Sequence, residues 1–300
     1  MTVAVRATAS AGTLKRVFDW APTTPALRLA MLRVIVGLYA TVYLCVRLPH
    51  LWSYAIDDVG RFQPVGLATF APAPTLPALY QVLVVATLIF SVLFLLGVRH
   101  RFVAPVFAAL LLWVLTYSNS WGKILHTDNL LVWHVFVLAF APAADALSFD
   151  ARGKPLPADS RDYGWAVRLM AALTVAIYLL AGIAKLRNSG FAFVDGETLR
   201  NFVAFGNVRK IELGSHHSPV GAYLSAFPTF FSVLAWGSVV LELGAPAALL
   251  HPRLGRWWSL GVWGFHLGVV VLMAIGFFYQ LTLVAFAPFF RVESLLERRS

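Results

Sequence analysis

An all-α integral membrane protein, a polytopic bundle of about seven or eight membrane segments with a short interfacial helix, is the fold class this sequence predicts. Three observations carry it. Hydrophobic residues make up 59% of the chain and charged residues 13%, with a mean hydropathy of +0.75, well outside the usual range of a soluble domain. Long apolar runs recur without the alternate-residue pattern of barrel strands, and backbone groups in hydrocarbon must be satisfied within their own segment, which leaves helices. No polar linker interrupts the 300 residues, so one transmembrane domain over 27–290 is expected, between an N-terminal segment at 1–26 and a tail at 291–300.

Taken in order, the 1–26 segment holds Arg6, Lys15, Arg16, Phe18 and Trp20 without the apolar stretch of a signal peptide, and it reads as cytoplasmic or interfacial. The first three spans are expected at 27–46, 76–98 and 102–120, each near the ~20 residues that cross a bilayer. A fourth at 124–141 is ended by Pro142 and followed by a polar loop at 145–164. The fifth is 165–186. Asp195, Gly196 and Glu197 then precede an amphipathic stretch, 198–208, too polar to span and suited to the interface. A sixth span covers 230–250. The almost uncharged block 257–290 would reach ~51 Å as one helix, against a hydrocarbon core of ~30 Å. Gly276 is therefore expected to divide it into a seventh segment and a short eighth, the alternative being one tilted span and a re-entrant piece.

On an eight-span arrangement with the N-terminus inside, about 14 Lys and Arg fall on the inner side and about 8 on the outer. Both termini are thus expected in the cytoplasm, and the absence of a targeting signal points to a bacterial plasma membrane. The formal charge of +10 is dispersed over short loops between spans, which favours a lipid bilayer with anionic lipid as partner and argues against nucleic acid. Cys45 is the single cysteine, so no intrachain disulfide or cysteine cluster forms. His216 and His217 lack a third ligand at a metal-binding spacing, and no metal is expected. No internal repeat supports an inverted-repeat transporter.

Ionisable residues in or beside a span are costly and mark either helix pairing or function. Arg33, in MLRVIVGL, either snorkels to the inner interface or makes an interhelical or anion contact. Glu242, in LELGAP in the middle of the sixth span, has to be protonated or paired, for structure or for proton handling. Lys185 closes the fifth span in YLLAGIAKL, with Tyr178 seven residues earlier on nearly the same face. It is either a snorkelling lysine at a span end or a partly desolvated amine able to act as base or nucleophile. The segment WGKILHTDNLLVWH gathers Lys123, His126, Asp128, Asn129 and His134 at the outer end of the fourth span. There Thr127 or Asp128 would cap a helix, or His126 would donate to a ligand or reacting group. His266, in WGFHLG, is either bonded between helices or part of a site.

In their order along the chain these motifs resemble the vitamin K-dependent gamma-carboxylase family and its broad relatives, the horizontally transferred transmembrane (HTTM) domain proteins. MLRVIVGL looks like the family's opening span, and HTDNLL followed by FAPAADALSFD looks like its GDNLL and later SLD pattern. AGIAKL followed by VDGETL is similar to its AGxxKL and the loop motif after it, and LELGAPAALL, GFHLG and IGFFYQLTLVAFAPFF resemble its last membrane segments. Carboxylases of the family deprotonate reduced vitamin K, let oxygen convert it to a strong base, and use that base to remove a γ-proton from peptidyl glutamate before carbon dioxide adds.

The resemblance implies a carboxylase-like lyase that uses reduced vitamin K or a related lipid quinone on a peptide or small substrate at the outer face. It implies Lys185 as the base, with His126 and His266 as further catalytic residues. Tyr178, Asn129 and Trp263 would contact the quinone, and Glu242, Asp128 and Arg33 would handle substrate or protons. Two departures accompany it. The chain stops about ten residues after its last apolar segment, where family enzymes continue into a large part that holds the protein substrate. FAFVDGETL also carries Val194 where the family often has Trp. The HTTM group is functionally diverse, so two other readings stand beside the first: a maturation factor for a secreted peptide working with an auxiliary subunit, and a non-enzymatic bundle that binds lipid or a partner.

Overall fold

The computed structural model describes residues 20–71, 73–122, 124 and 126–297, with the backbone alone for His126 and Glu297. Most of the 1–26 segment, including Arg6, Lys15, Arg16 and Phe18, lies outside the described residues, as do Lys123, Arg298 and Arg299. The helices are α1 (Ala26–Ser53), α2 (Pro77–Leu96), α3 (His100–Asn119), α4 (Asn129–Phe140), α5 (Arg161–Ser189), α6 (Glu197–Glu212), α7 (Pro219–Leu224), α8 (Pro228–Leu243), α9 (Pro252–Met273), α10 (Phe278–Leu281) and α11 (Ser294–Glu297). Among the described residues the only β pairing is an isolated bridge between Thr24 and Ser160.

Among the described residues, four helical stretches are long and apolar enough to cross a membrane: Ala26–Ser53, Pro77–Leu96, His100–Asn119 and Arg161–Asp195. The predicted fourth and sixth spans are shorter as helices than expected. Residues 124–141 yield the 12 helical residues of α4 behind a 3-10 turn at His126–Asp128, a rise of only ~18 Å. In the sixth, α8 stops at Leu243, where Gly244 and Pro246 redirect the chain into a 3-10 turn, Ala245–Leu249.

The chain divides into two compact units, Met1–Met170 with Arg291–Ser300, and Ala171–Phe290. In the first, α1 packs on α2, α2 on α3, α3 on α4, and α4 returns to α1. The buried stripe of α1, Leu29, Leu32, Val36, Ala40 and Leu44, has helical spacing, and Leu38, Val42 and Val46 face outward. A tight turn links α2 to α3 through Gly97 (φ 65°) and Arg99 (φ 44°). Both Asp150 oxygens accept there, from the N–H groups of Arg99 and His100 at 2.8 Å, capping the start of α3. Glu293, almost fully buried, pairs with Arg28 at 3.9 Å and ties the C-terminal segment to the start of α1.

In the second unit, α6 packs on α8 and α7 packs on α6 and α9. The predicted interfacial stretch extends over all of α6, with Phe202, Phe205, Val208 and Ile211 exposed along one side. Its other side caps α9. Asn207 Nδ2 donates to Leu272 O at 3.1 Å, Lys210 Nζ to Ala274 O at 3.1 Å and to Met273 O, and Ser218 Oγ, ahead of α7, to Val271 O. These donors satisfy carbonyls that the end of a helix leaves without partners. Here the block 257–290 breaks, at Ala274 (φ 47°), just before Gly276. Beyond the break the chain forms the four-residue α10 and a 3-10 turn at Val284–Phe289, neither long enough to cross a bilayer.

Candidate functional site

Three helices of the second unit supply the polar residues that its apolar surroundings isolate. Helix α5 brings Tyr178 and Lys185, two turns apart on one face. Helix α8 brings Ser238 and Glu242, one turn apart, and α9 brings Trp258, Phe265 and His266. Gly182 lets α5 and α8 approach. A Cβ at this position would lie 2.9 Å from Leu243 Cδ2 and 3.0 Å from Glu242 Cβ, so any larger residue would hold Lys185 away from its partner.

Lys185 Nζ donates to Glu242 Oε1 at 2.7 Å and to Ser238 Oγ at 3.3 Å. The same nitrogen stands 5.2 Å from the Phe193 ring centroid and 5.5 Å from that of Phe265, within reach of cation–π attraction. The Lys185 side chain keeps 25% of its surface exposed, Glu242 only 7%. Glu242 Oε2 is buried without a hydrogen-bond partner among the described residues. Lys185 does not close its helix, which runs on to Ser189 and continues as a 3-10 turn to Asp195. Glu242 lies in the last turn of α8, not in the middle of a long span. Val194 is buried with Phe193, Ala235 and Val239.

Tyr178 Oη lies 2.7 Å from His266 Nε2. Trp258 meets the tyrosine ring edge-on at 5.4 Å and Phe286 stacks on it at 6.2 Å. The imidazole sits against Phe265 and Phe277, at 5.3 and 4.9 Å, and its Nδ1 is buried without a hydrogen-bond partner among the described residues. Trp263 donates Nε1–H to Leu281 O at 2.9 Å, joining α9 to the end of α10. Beside the lysine lies a cavity of about 390 Å³ walled by apolar side chains of α6, α8 and α9, among them Leu199, Val203, Leu241 and Val269. Ser238 and Phe265 belong both to its wall and to the surroundings of Lys185.

The remaining sequence candidates lie in the first unit. Arg33 is fully buried. Its guanidinium donates to four main-chain carbonyls: Ala143 at 3.1 Å, Phe94 at 3.1 Å, Leu95 at 3.0 Å and Leu147 at 2.5 Å. It does not snorkel; it bolts the end of α2 to the segment after α4, and Gly97 leaves the space it occupies. Asp128 makes no capping bond to α4. It accepts instead from Tyr43 Oη at 2.6 Å, and Arg47 Nη1 donates to the same tyrosine at 2.8 Å and stands 3.7 Å from the carboxylate. Asn129 opens α4 and is exposed, His134 is buried with Nε2 3.2 Å from Met170 O, and the side chain of His126 lies outside the described residues.

Sequence reasoning missed Ser238, Gly182, Tyr43 and Arg47. Each carried a signal: Ser238 stands four residues before Glu242, Gly182 three before Lys185, and Tyr43 and Arg47 four apart on one helix face.

The HTTM domain family model matches residues 20–293. No curated protein and no solved structure matches the chain. With four helices able to cross a bilayer and a family match over most of its length, the chain is an integral membrane protein that belongs to the HTTM domain family.

Proposed function

We propose that this protein is a membrane enzyme that uses a reduced lipid quinone to drive carboxylation of a peptide or small carbon acid, with Lys185 and Glu242 as its proton-accepting pair. One observation carries the reading: a lysine–carboxylate pair stands behind Ser238 and Phe265, two residues in the wall of an apolar cavity. An ammonium held by a carboxylate is not itself a base. The carboxylate is the member of the pair that can accept a proton, and among the described residues no donor occupies Glu242 Oε2. Ser238 and the Phe193 and Phe265 rings hold the amine in place.

The residues present fit a quinone. Leu199, Val203, Leu241 and Val269 would hold an isoprenoid chain, and Ser238, the polar side chain of the same wall, would offer a contact to a ring oxygen and connects the wall to Lys185. When bound, the reduced quinone would supply the electrons with which oxygen generates a base strong enough to remove a carbon-bound proton. Tyr178 and His266 would form a second hydrogen-bonded pair for moving that proton, with Trp258, Phe277 and Phe286 excluding water. Trp263 as a further quinone contact, an outer-face site, cytoplasmic termini and a bacterial plasma membrane complete the proposal.

Purified protein in lipid nanodiscs, supplied with vitamin K hydroquinone, oxygen, labelled bicarbonate and a Glu-containing peptide, is expected to consume oxygen and fix label. Lys185→Ala is expected to lower both rates at least about 100-fold, the scale of lost acid–base catalysis. Unchanged turnover in this variant overturns the assignment of the base, and a wild-type protein inert toward every quinol offered favours the non-enzymatic reading.

A further inference from the structure

A second cavity, in the first unit and distinct from the lysine site, has a different chemistry. It measures about 650 Å³ and opens between the first turn of α3, the end of α4 and the loop after it. Its charged lining residues are Arg101, Lys154, Asp145 and Asp150, and its apolar wall includes Pro105 and Phe140. The four charges are not equivalent. Asp150 commits both oxygens to the N–H groups of Arg99 and His100, and Asp145 accepts from Tyr163 Oη at 2.9 Å. Arg101 and Lys154 are exposed, and neither side chain makes a hydrogen bond or ion pair among the described residues. The acids are therefore held by the protein while the cations are not.

The place of the cavity on the molecule completes the case. Helix α3 is one of the four stretches able to cross a bilayer, and its first residues, His100 and Arg101, line the cavity. The mouth is therefore at the boundary between hydrocarbon and water. Phe102, Val106 and Phe140, beside it, expose apolar side chains, as a surface along acyl chains does. A site with free cations at this depth and an apolar flank is complementary to an amphiphilic anion.

We infer that this cavity binds the head group of an anionic phospholipid, with Arg101 and Lys154 on the phosphodiester and the acyl chains descending past Phe140. Arginine and lysine divide the work, since a guanidinium reaches two phosphate oxygens with parallel donors and an ammonium acts as a point charge. Asp150 keeps the first turn of α3 in place without drawing Arg101 away from the ligand.

The test uses the full chain, purified in a neutral detergent, with thermal unfolding and native mass spectrometry as readouts. Phosphatidylglycerol is expected to raise the melting temperature by several degrees more than phosphatidylcholine, and to remain bound in the gas phase. Arg101→Gln with Lys154→Gln is expected to leave the lipid-free melting temperature within a degree of wild type, lose most of the phosphatidylglycerol shift and retain at least fivefold less bound lipid. Arg101→Lys with Lys154→Arg should keep both. Equal shifts with phosphatidylcholine, or full retention of phosphatidylglycerol by the double Gln variant, overturn the inference. A shift of the same size with inorganic phosphate alone reassigns the site to a soluble anion and overturns the lipid assignment. If the double variant does not purify, the single Gln variants carry the same comparison, each expected to lose part of the shift.

Discussion

Arg33 in the first unit and Lys185 in the second are both cations within apolar helices, and their surroundings could hardly differ more. Arg33 is fully buried, and its donors meet four main-chain carbonyls. Lys185 is partly exposed, shares a carboxylate and a hydroxyl, and leaves its partner's second oxygen without a donor among the described residues. The first arrangement is complete and has nothing left to offer a ligand. The second is incomplete, and a buried acceptor without a donor carries a desolvation cost that a ligand or a proton would relieve. Satisfaction of hydrogen bonds, rather than depth or charge, is what separates the structural cation from the one proposed to act in catalysis.

The comparison breaks most visibly if Arg33 turns out to be dispensable. Arg33→Met keeps the apolar volume and strips donors from four carbonyls, two at the end of α2 and two in the segment after α4, at ~1–3 kcal/mol for each group left unsatisfied. A loss of about 4 kcal/mol or more is expected, seen as failure to purify as a monodisperse species or as a steep fall in melting temperature. Arg33→Lys should rescue only in part, because an ammonium cannot reach carbonyls of two segments with the planar spread of a guanidinium. A folded, thermally unaltered Arg33→Met would remove the structural half of the contrast.

The next largest effect sharpens the other half. Glu242→Gln keeps the shape and removes the carboxylate that would accept the proton. Quinol-dependent turnover is expected to fall at least about 100-fold, while the melting temperature moves less than it does in Arg33→Met. If the two variants show the reverse order, with Glu242→Gln unfolding the protein and leaving turnover intact, Glu242 is the bolt and the functional role passes to Arg33. Gly182→Leu acts on the same pair through distance. Its side chain has to displace Leu243 and Glu242, with an overpacking cost of ~1–3 kcal/mol. Both turnover and stability are expected to suffer, and Gly182→Ala should give the milder form of the same pattern.

How much of this contrast is legible in the sequence? The bundle is, because apolar runs of spanning length are a composition signal that tertiary detail cannot erase. The ends of α2 and α3 fall within two residues of the expected ones, where Gly97 and Pro77 punctuate the chain. Arg33, Lys185 and Glu242 are legible one at a time as misplaced charges. Their partners are not. Arg33 binds carbonyls, which every residue has and no motif displays, and the Lys185–Glu242 pair joins residues 57 positions apart. The break near Gly276 is placed to within a few residues, but its cause lies in Asn207, Lys210 and Ser218, whose long-range capping of α9 leaves no local pattern. The fourth and sixth segments mislead for a simpler reason, since hydropathy continues through Ile124 and through Ala245–Leu249 where the α-helix does not.

The smallest expected effect tests whether Tyr178 and His266 belong with the finished or the unfinished groups. Their mutual hydrogen bond at 2.7 Å looks structural, yet Nδ1 of the imidazole has no hydrogen-bond partner among the described residues. Tyr178→Phe removes one buried hydroxyl and leaves Nε2 without its neighbour, at a cost of ~1–2 kcal/mol. If the pair only braces α5 against α9, the variant loses that stability and its turnover, corrected for folded protein, stays at the wild-type level. If the pair moves a proton, kcat falls at least about tenfold while KM for the quinol holds, the mark of an interaction made in the transition state and not in binding. His266→Gln separates the cases further, because an amide can still accept from Tyr178 but cannot relay a proton: bracing survives it and proton transfer does not. The second outcome is the one expected, since a ring held by Phe265 and Phe277 already has its position fixed by packing and does not need a hydrogen bond to Tyr178 for that purpose.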